Sequence, residues 1–383
     1  MLPNRTVFDH EHQLFREGVR GFIKAEVLPN FEAWEQSGMV PRQFWQRAGE
    51  AGLLCPQIRD EYGGSGGSFM HNAVLIEEFA YAGLSGPLAD LTVHSDVGAG
   101  YIESFGTEEQ KKTWLPRMAS GRTVCAVAMT EPDTGSDLQA VRTRAIPTDE
   151  GWRISGCKTF VSNGQQCDLV IVVCRTSDVP GAKGISLVLV EAERAGFQRG
   201  RKLAKLGQLS ADTSELFLDN VEVPHGNVLG REGTGFASLM QQLPQERLAI
   251  SITSMAAAQR AFDITCAYTQ ERKAFGKAVF DFQATSHRLA DLKADLSVGW
   301  AYVDQCLTRH VRRELTATDS SIAKLWCSEM QGRLVDQCLQ FFGGYGFMRE
   351  YEITRLYADA RVQRIYGGTS EIMRELVSRS LRD

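Results

Sequence analysis

The chain has no long hydrophobic run, no surplus of basic charge and no paired cysteines, and each absence removes a class of function. Its longest apolar candidate, residues 169–174, is strand-length and well short of the roughly 18 to 20 residues that a bilayer-spanning helix needs. A soluble protein without a membrane span is expected. The 42 Lys and Arg are outnumbered by 47 Asp and Glu, a formal net charge of -5, so nucleic acid is not an expected partner. A local basic cluster can still hold a phosphorylated small molecule. The nine cysteines stand singly, with no Cys-x-x-Cys pair and no His spacing that suggests zinc. Buried reduced thiols acting as small hydrophobes are expected, and no metal site. Residues 1–12 lack the apolar core of a secretory signal, and Arg5, Asp9 and Glu11 sit badly with an acid-poor transit peptide. A bacterial cytoplasm is the expected location, with a mitochondrial matrix kept open as the other.

A chain of 383 residues exceeds what one hydrophobic core serves, so two or three packed units are expected. From Phe8 to about Gly121 the pattern is helical: Phe15, Val19, Phe22 and Ile23 recur at one-face spacing, and Pro29 lies just beyond a helix end. Between about Arg122 and His225 the period shortens. β-prone runs at residues 124–129, 152–154, 169–174, 185–190 and 215–218 are punctuated by Gly, Pro, Asp and Asn, the spacing of an antiparallel β-domain. Helical period then returns, with Leu248, Ile252, Met255 and Phe262 on one stripe and Ile322, Leu325, Trp326 and Met330 on another. The expected units are residues 1–121, 122–230 and 231–383, in the order helical, β, helical, an α+β chain. No Gly-x-Gly-x-x-Gly follows a strand, so a nucleotide-like cofactor belongs between domains rather than on a doubly wound sheet.

Five segments carry chemistry. Met129 and Thr130 lead from a strand into Glu131-Pro132-Asp133-Thr134-Gly135-Ser136-Asp137, a turn whose N–H groups and hydroxyls can approach an anionic or carbonyl-rich ligand. Lys158-Thr159-Phe160-Val161-Ser162-Asn163-Gly164 sets an aromatic wall near a turn. Arg272-Lys273-Ala274-Phe275-Gly276-Lys277, eleven residues from Arg272 to Gln283, offers a planar fork for phosphate, and Gln340-Phe341-Phe342-Gly343-Gly344-Tyr345-Gly346 permits close backbone approach. Near the C-terminus, in Arg364-Ile365-Tyr366-Gly367-Gly368-Thr369-Ser370-Glu371-Ile372, Thr369 or Ser370 can cap the following helix and leave N–H groups free for a ligand.

Together these segments resemble the acyl-CoA dehydrogenase family over nearly the whole chain, including its helical, β, helical fold. The resemblance implies FAD, with Met129, Thr130, Gly135, Ser136, Phe160, Val161, Ser162, Thr369, Ser370 and Glu371 around the flavin. It also implies that Arg272, Phe275, Gln283, Gln340, Phe341, Gly343 and Gly344 serve the FAD of a neighbouring subunit in a homotetramer or dimer. Ser136 and Gly368 would contact the acyl-CoA substrate, and electron-transferring flavoprotein would take the electrons.

One position departs from the pattern. Where many relatives carry a glutamate base, this chain has Gly367; about 120 residues earlier, Leu243-Pro244-Gln245-Glu246-Arg247-Leu248 resembles the helix from which the isovaleryl and long-chain branches supply it. Glycine at 367 removes a carboxylate but keeps the main-chain N–H that relatives use to hold the thioester oxygen. Glu246 is therefore the expected base, made less acidic by burial beside acyl chain and flavin. Pro244 either opens a helix or bends a longer one. Glu246 and Arg247 point about 100° apart on a helix, so Arg247 is expected to meet pantetheine or a nearby carboxylate instead. Asp263 and the Glu77-Glu78 pair fit structural positions better. A glutamate placed at 367 is expected to restore partial activity from the other side of the substrate.

The implied reaction is α,β-dehydrogenation of a medium, long or branched acyl-CoA to the trans-2-enoyl-CoA. Three alternatives share these motifs: an acyl-CoA oxidase, a dehydrogenase of a carrier-protein thioester, and a flavin-binding scaffold without activity. Acyl selectivity is expected to depend on residues 91–98 and 237–243.

Overall fold

The computed structural model describes residues 2–382. Seven helices come first: α1 (His10–Phe22), α2 (Phe31–Ser37), α3 (Arg42–Glu50), α4 (Phe69–Tyr81), α5 (Ser85–Thr92), α6 (Ala99–Phe105) and α7 (Glu108–Ala119). Asp9, Ser68 and Thr107 cap α1, α4 and α7 through side-chain oxygens that accept first-turn N–H groups, which satisfies donors the helix leaves unpaired. Widened π turns at Ile23–Val27 and Val93–Gly98 interrupt the helical course, the second leading straight into α6. Val19, Phe22 and Ile23 are buried as the spacing predicts.

The middle of the chain forms one eight-stranded sheet: β1 (Cys125–Ala128), β2 (Arg144–Pro147), β3 (Gly151–Ser162), β4 (Leu169–Arg175), β5 (Ile185–Glu191), β6 (Phe197–Lys202), β7 (Thr213–Pro224) and β8 (Val228–Leu229). The expectation of an antiparallel domain needs one correction. β1 pairs parallel with β4 in register Cys125↔Leu169 to Ala128↔Val172, and β2 touches β4 in parallel at Arg144↔Arg175; the other pairs are antiparallel. β4 is buried along nearly all its length, which explains its unbroken apolar run.

Three long helices follow, α8 (Gly235–Glu271), α9 (Gln283–Val311) and α10 (Ala317–Phe341), then two short ones, α11 (Glu352–Ala360) and α12 (Ser370–Arg379). Between α8 and α9 lies a small hairpin, β9 (Lys273–Ala274) and β10 (Lys277–Ala278). Leu248, Ile252, Met255 and Phe262 are buried as expected. The second stripe is not: Ile322 is exposed and, with Leu325, Trp326, Glu329, Arg333, Arg374 and Val377, lines a cavity of about 380 Å³ between α10 and α12, while Met330 alone of that stripe is fully buried.

All nine cysteines are free, seven buried and two half-buried. Among the described residues no His, Cys, Asp and Glu cluster could hold a metal, and no helix is long and apolar enough to cross a membrane.

Candidate active site

The base candidate sits in the first third of α8. Pro244 lies inside this 37-residue helix rather than opening it: it has no N–H to donate to the i to i-4 ladder, so the carbonyl one turn earlier loses its donor. Two residues later, Glu246 is half-buried. Burial pushes its carboxyl up to about 7, and the bond from Tyr101 and the charge of Arg247 work against that rise. Tyr101, fully buried on α6, donates its hydroxyl to Glu246 Oε1 at 3.0 Å.

Arg247 is buried and does not point to open space. Its Nε donates to the carbonyl of Gly367 at 3.3 Å and its Nη1 to Ser321 Oγ at 3.4 Å. The buried Lys324 of α10 donates to the next carbonyl, Gly368, at 2.6 Å. Burial, then the nearby Arg247 charge, brings this ammonium down to about 8. Two cations therefore hold consecutive carbonyls of the loop. Two donors of Arg247 are thus directed at Ser321 and at the loop that carries Gly367 and Gly368.

Gly367 (φ +63°) and Gly368 (φ +97°) are both left-handed, conformations in which a side chain is strained. Space argues the same way. A Cβ at 367 would lie 2.4 Å from Ile250 Cδ1, and Ile250 stands one turn beyond Glu246 on the same helix face. The helix that brings in the carboxylate thus also fills the place where a side chain at 367 would start. A side chain at 367 therefore needs both a strained backbone and a shifted Ile250 terminal methyl. Among the described residues the Gly367 N–H donates to no other group.

The loop ends at α12, where Thr369 is the cap, accepting from the Ile372 N–H at 3.3 Å. Ser370 is buried and donates instead to Glu329 of α10 at 2.7 Å, so its hydroxyl is turned away from any ligand at the helix end. Glu371 is exposed; N–H groups of the first turn and Thr369 hold its carboxyl below the usual range.

The two β-domain motifs form one device. Lys158, with no exposed surface, donates to Glu131 Oε1 at 2.8 Å and to the Met129 carbonyl at 3.0 Å. Glu131 also accepts from the Arg142 and Thr143 N–H groups and from Thr143 Oγ1, and Thr159 N–H reaches the Thr130 carbonyl at 2.9 Å. Although burial works to raise it, the Glu131 carboxyl is held below its usual range by Lys158 and these donors. Just beyond, the β3–β7 register shifts between Lys158 and Val161, and Phe160 takes φ +56° with 68% of its surface exposed. A bulged aromatic in a left-handed conformation is costly, and a bulge re-aims a side chain. Phe160 is turned out of the sheet, while Val161 is buried and Ser162 half-buried. Met129 and Thr130 are half-buried at the end of β1; Gly135 and Ser136 are exposed. β1 packs on the π turn before α6, where a Cβ at Gly98 would meet Cys125 Sγ at 2.7 Å, so this wall adjoins the element that carries Tyr101.

Arg272, Phe275, Gln283 and Gln340 to Gly344 lie elsewhere. From Glu246 to Arg272 the helix runs about 39 Å at 1.5 Å per residue. Arg272 and Gln283 are exposed, and Phe275 is 97% exposed at the tip of the β9–β10 hairpin, where it (φ +51°) and Gly276 (φ +85°) make the turn. Tyr268 stacks on Phe342 with ring centroids 4.2 Å apart, which joins the last turns of α8, just before this hairpin, to the end of α10. There Gln340, Gly343 and Gly344 are exposed and Phe341 is half-buried. Among the described residues, and chain neighbours aside, nothing lies within 4 Å of a Cβ placed at Gly135, Gly343 or Gly344.

Three family models cover almost the whole chain: acyl-CoA dehydrogenase N-terminal domain at residues 9–122, middle domain at 126–221 and C-terminal domain at 233–382. The chain belongs to the acyl-CoA dehydrogenase family. It is 46% identical to the mitochondrial long-chain specific acyl-CoA dehydrogenase of Rattus norvegicus, over 98% of this chain and 88% of that protein. The crystal structure of an acyl-CoA dehydrogenase from Geobacillus kaustophilus superposes with a TM-score of 0.96 at 41% identity, covering 99% of this chain and all of that one. A glutaryl-CoA dehydrogenase from Mycobacterium smegmatis, solved in complex with FADH2, superposes at 0.91 with 28% identity, covering 98% and 95%. As a member of this flavin-dependent family the protein is an oxidoreductase.

Tyr101, Ile250, Ser321 and Lys324 were not legible as site residues. Tyr101, Ser321 and Lys324 reach the site from distant parts of the sequence, while Ile250 lies one turn past Glu246 but faces a loop far along the chain.

Proposed function

We propose that this acyl-CoA dehydrogenase removes hydrogen from the α and β carbons of a medium, long or branched acyl-CoA, with Glu246 as the base and FAD as the cofactor. The observation that carries the reading is the joint geometry of α8 and the 367–368 loop. The carboxylate is on the helix, the free N–H is on the loop, and Arg247 ties one to the other at 3.3 Å.

The residues present fit a flavin. An outward-turned, strained aromatic at 160, half-buried Met129 and Thr130 at a strand end, and the Thr369-capped start of α12 offer a flat wall, polar edge contacts and free N–H donors. Ser370, turned to Glu329, is left out of that set. When bound, FAD supplies the acceptor for the hydride that leaves the β-carbon. The chain's own residues do the rest. The Cα–H bond breaks as Glu246 takes the proton, and Oε2 is the oxygen left open because Oε1 already accepts from Tyr101. The Gly367 N–H holds the thioester oxygen as negative charge develops on it, and Ser136 and Gly368 line the acyl-CoA.

Arg272, Phe275, Gln283, Gln340, Phe341, Gly343 and Gly344 serve the FAD of a neighbouring subunit in a homotetramer or dimer. Their exposure and their distance from Glu246 support this division. Electron-transferring flavoprotein is the proposed oxidant.

The base assignment is tested by Glu246→Gln. This variant is expected to keep FAD and bind acyl-CoA while flavin reduction slows by at least about 1,000-fold, the scale of removing a general base. Near-normal bleaching of the flavin under anaerobic acyl-CoA would overturn it.

A further inference from the structure

Resting on Glu246 as the base, we infer that Tyr101 is its positioning residue, fixing which carboxylate oxygen receives the proton and setting the pH at which it can do so. A fully buried phenol must find a hydrogen-bond partner, and here the partner is Glu246 Oε1 at 3.0 Å. Among the described residues no other side chain hydrogen-bonds this carboxylate. A phenol donating to a carboxylate stabilises its ionised form.

The charged and titratable groups around it are few. Arg247, on the same helix, directs its donors to Gly367 and Ser321, and Lys324 of α10 directs its own to Gly368. Asp96 of the π turn and His310 of α9 both engage the preceding residue: Gln245 Nε2 donates to the Asp96 carbonyl at 3.2 Å, and His310 Nε2 lies 3.1 Å from Gln245 Oε1. Burial keeps His310 down at about 4, hence neutral, and raises the Asp96 carboxyl, which accepts from the Asn72 amide, to about 7. Tyr101 is therefore the one donor on the base. Removing its hydroxyl frees both oxygens to turn and makes the carboxylate harder to ionise. During turnover Tyr101 keeps its own proton: the Cα–H bond breaks, the new O–H bond forms on Oε2, and the phenol stays on Oε1.

The test is the pH dependence of kcat/KM for anaerobic flavin reduction by acyl-CoA in Tyr101→Phe, compared with the native enzyme. The acid limb is expected to move up by about one pH unit, so that below it the variant is about tenfold slower, while the high-pH plateau changes by less than about threefold. A fluorinated tyrosine placed at 101, a stronger donor of the same shape, is expected to move the limb the other way. A loss equal at every pH, with the limb unmoved, would show a packing role only and overturn the inference, as would an unchanged profile. Should Tyr101→Phe fail to hold flavin, the fluorinated variant decides by whether its limb moves. Glu246→Gln runs in parallel. Turnover retained there removes the base assignment itself, whereas turnover lost there with both Tyr101 limbs unmoved removes only the role of Tyr101.

Discussion

Gly367 is constrained by its own backbone and by a neighbour. At φ +63° an added side chain is strained, and Ile250 Cδ1 occupies its first position. Gly367→Ala is expected to destabilise the protein by about 1 kcal/mol or more, read as a lower urea midpoint with unchanged slope, with weaker acyl-CoA binding because the N–H is displaced. The sequence showed the missing carboxylate and offered Glu246 as its proposed replacement, since both lie in short local patterns. It could not show that Ile250 closes the vacated space, because that contact joins residues 117 apart. The partners of Arg247 were hidden for the same reason: helix geometry separates it from Glu246, but the groups it bonds lie on a loop and on α10.

Among elements, the clearest coupling joins the strand end at Met129–Thr130 to β3. Lys158 is a buried cation whose ammonium is shared between a carboxylate and a main-chain carbonyl. Removing it leaves Glu131 as an uncompensated buried charge, a change that costs about 3 to 5 kcal/mol. Lys158→Met is expected to lose flavin on dialysis, followed as a fall in the ratio of visible to ultraviolet absorbance, and to unfold at a lower temperature. The strongly apolar strands β4 and β5 were evident from the sequence. β2 and β6 were not, because their exposed or half-exposed residues leave no apolar alternation to read. The Phe160 bulge was equally hidden: an aromatic in a strand looks the same whether it packs inward or is turned out by one extra residue.

Across the whole molecule, the N-terminal segment is fastened by a buried ionic cluster. Arg5 pairs with Glu77 and, at 2.8 Å, with Asp304 of α9. Arg16 reaches Glu77 at 2.9 Å and Glu78 at 2.5 Å, and Arg20 reaches Glu78 at 2.7 Å. Arg5 also lies over the Trp300 ring at 4.1 Å. This confirms the structural role expected of Glu77 and Glu78, and Asp263 has one too, accepting from Tyr81 at 2.7 Å and Gln259 at 2.8 Å. Arg5→Met is expected to cost about 3 kcal/mol, seen as a lower unfolding temperature, while flavin content and turnover at low temperature stay near native because the cluster lies on α1, α4 and α9, apart from the α6, α8 and α10 residues around Glu246. The order of helical and β segments was legible at this scale because periodicity survives over tens of residues. The cluster was legible only in part: Glu77 and Glu78 read as structural, but their partners Arg5, Arg16 and Arg20 lie about 60 to 70 residues away in sequence.

The carboxylate on α8 and the N–H on the 367–368 loop are separate parts, joined by Arg247 but chemically independent. Erasing the first leaves the second. Glu246→Gln should therefore serve as a capture reagent: isolated from cells, it is expected to retain unconsumed thioester, and mass spectrometry of what it releases would reveal the chain length and branching of its own metabolite.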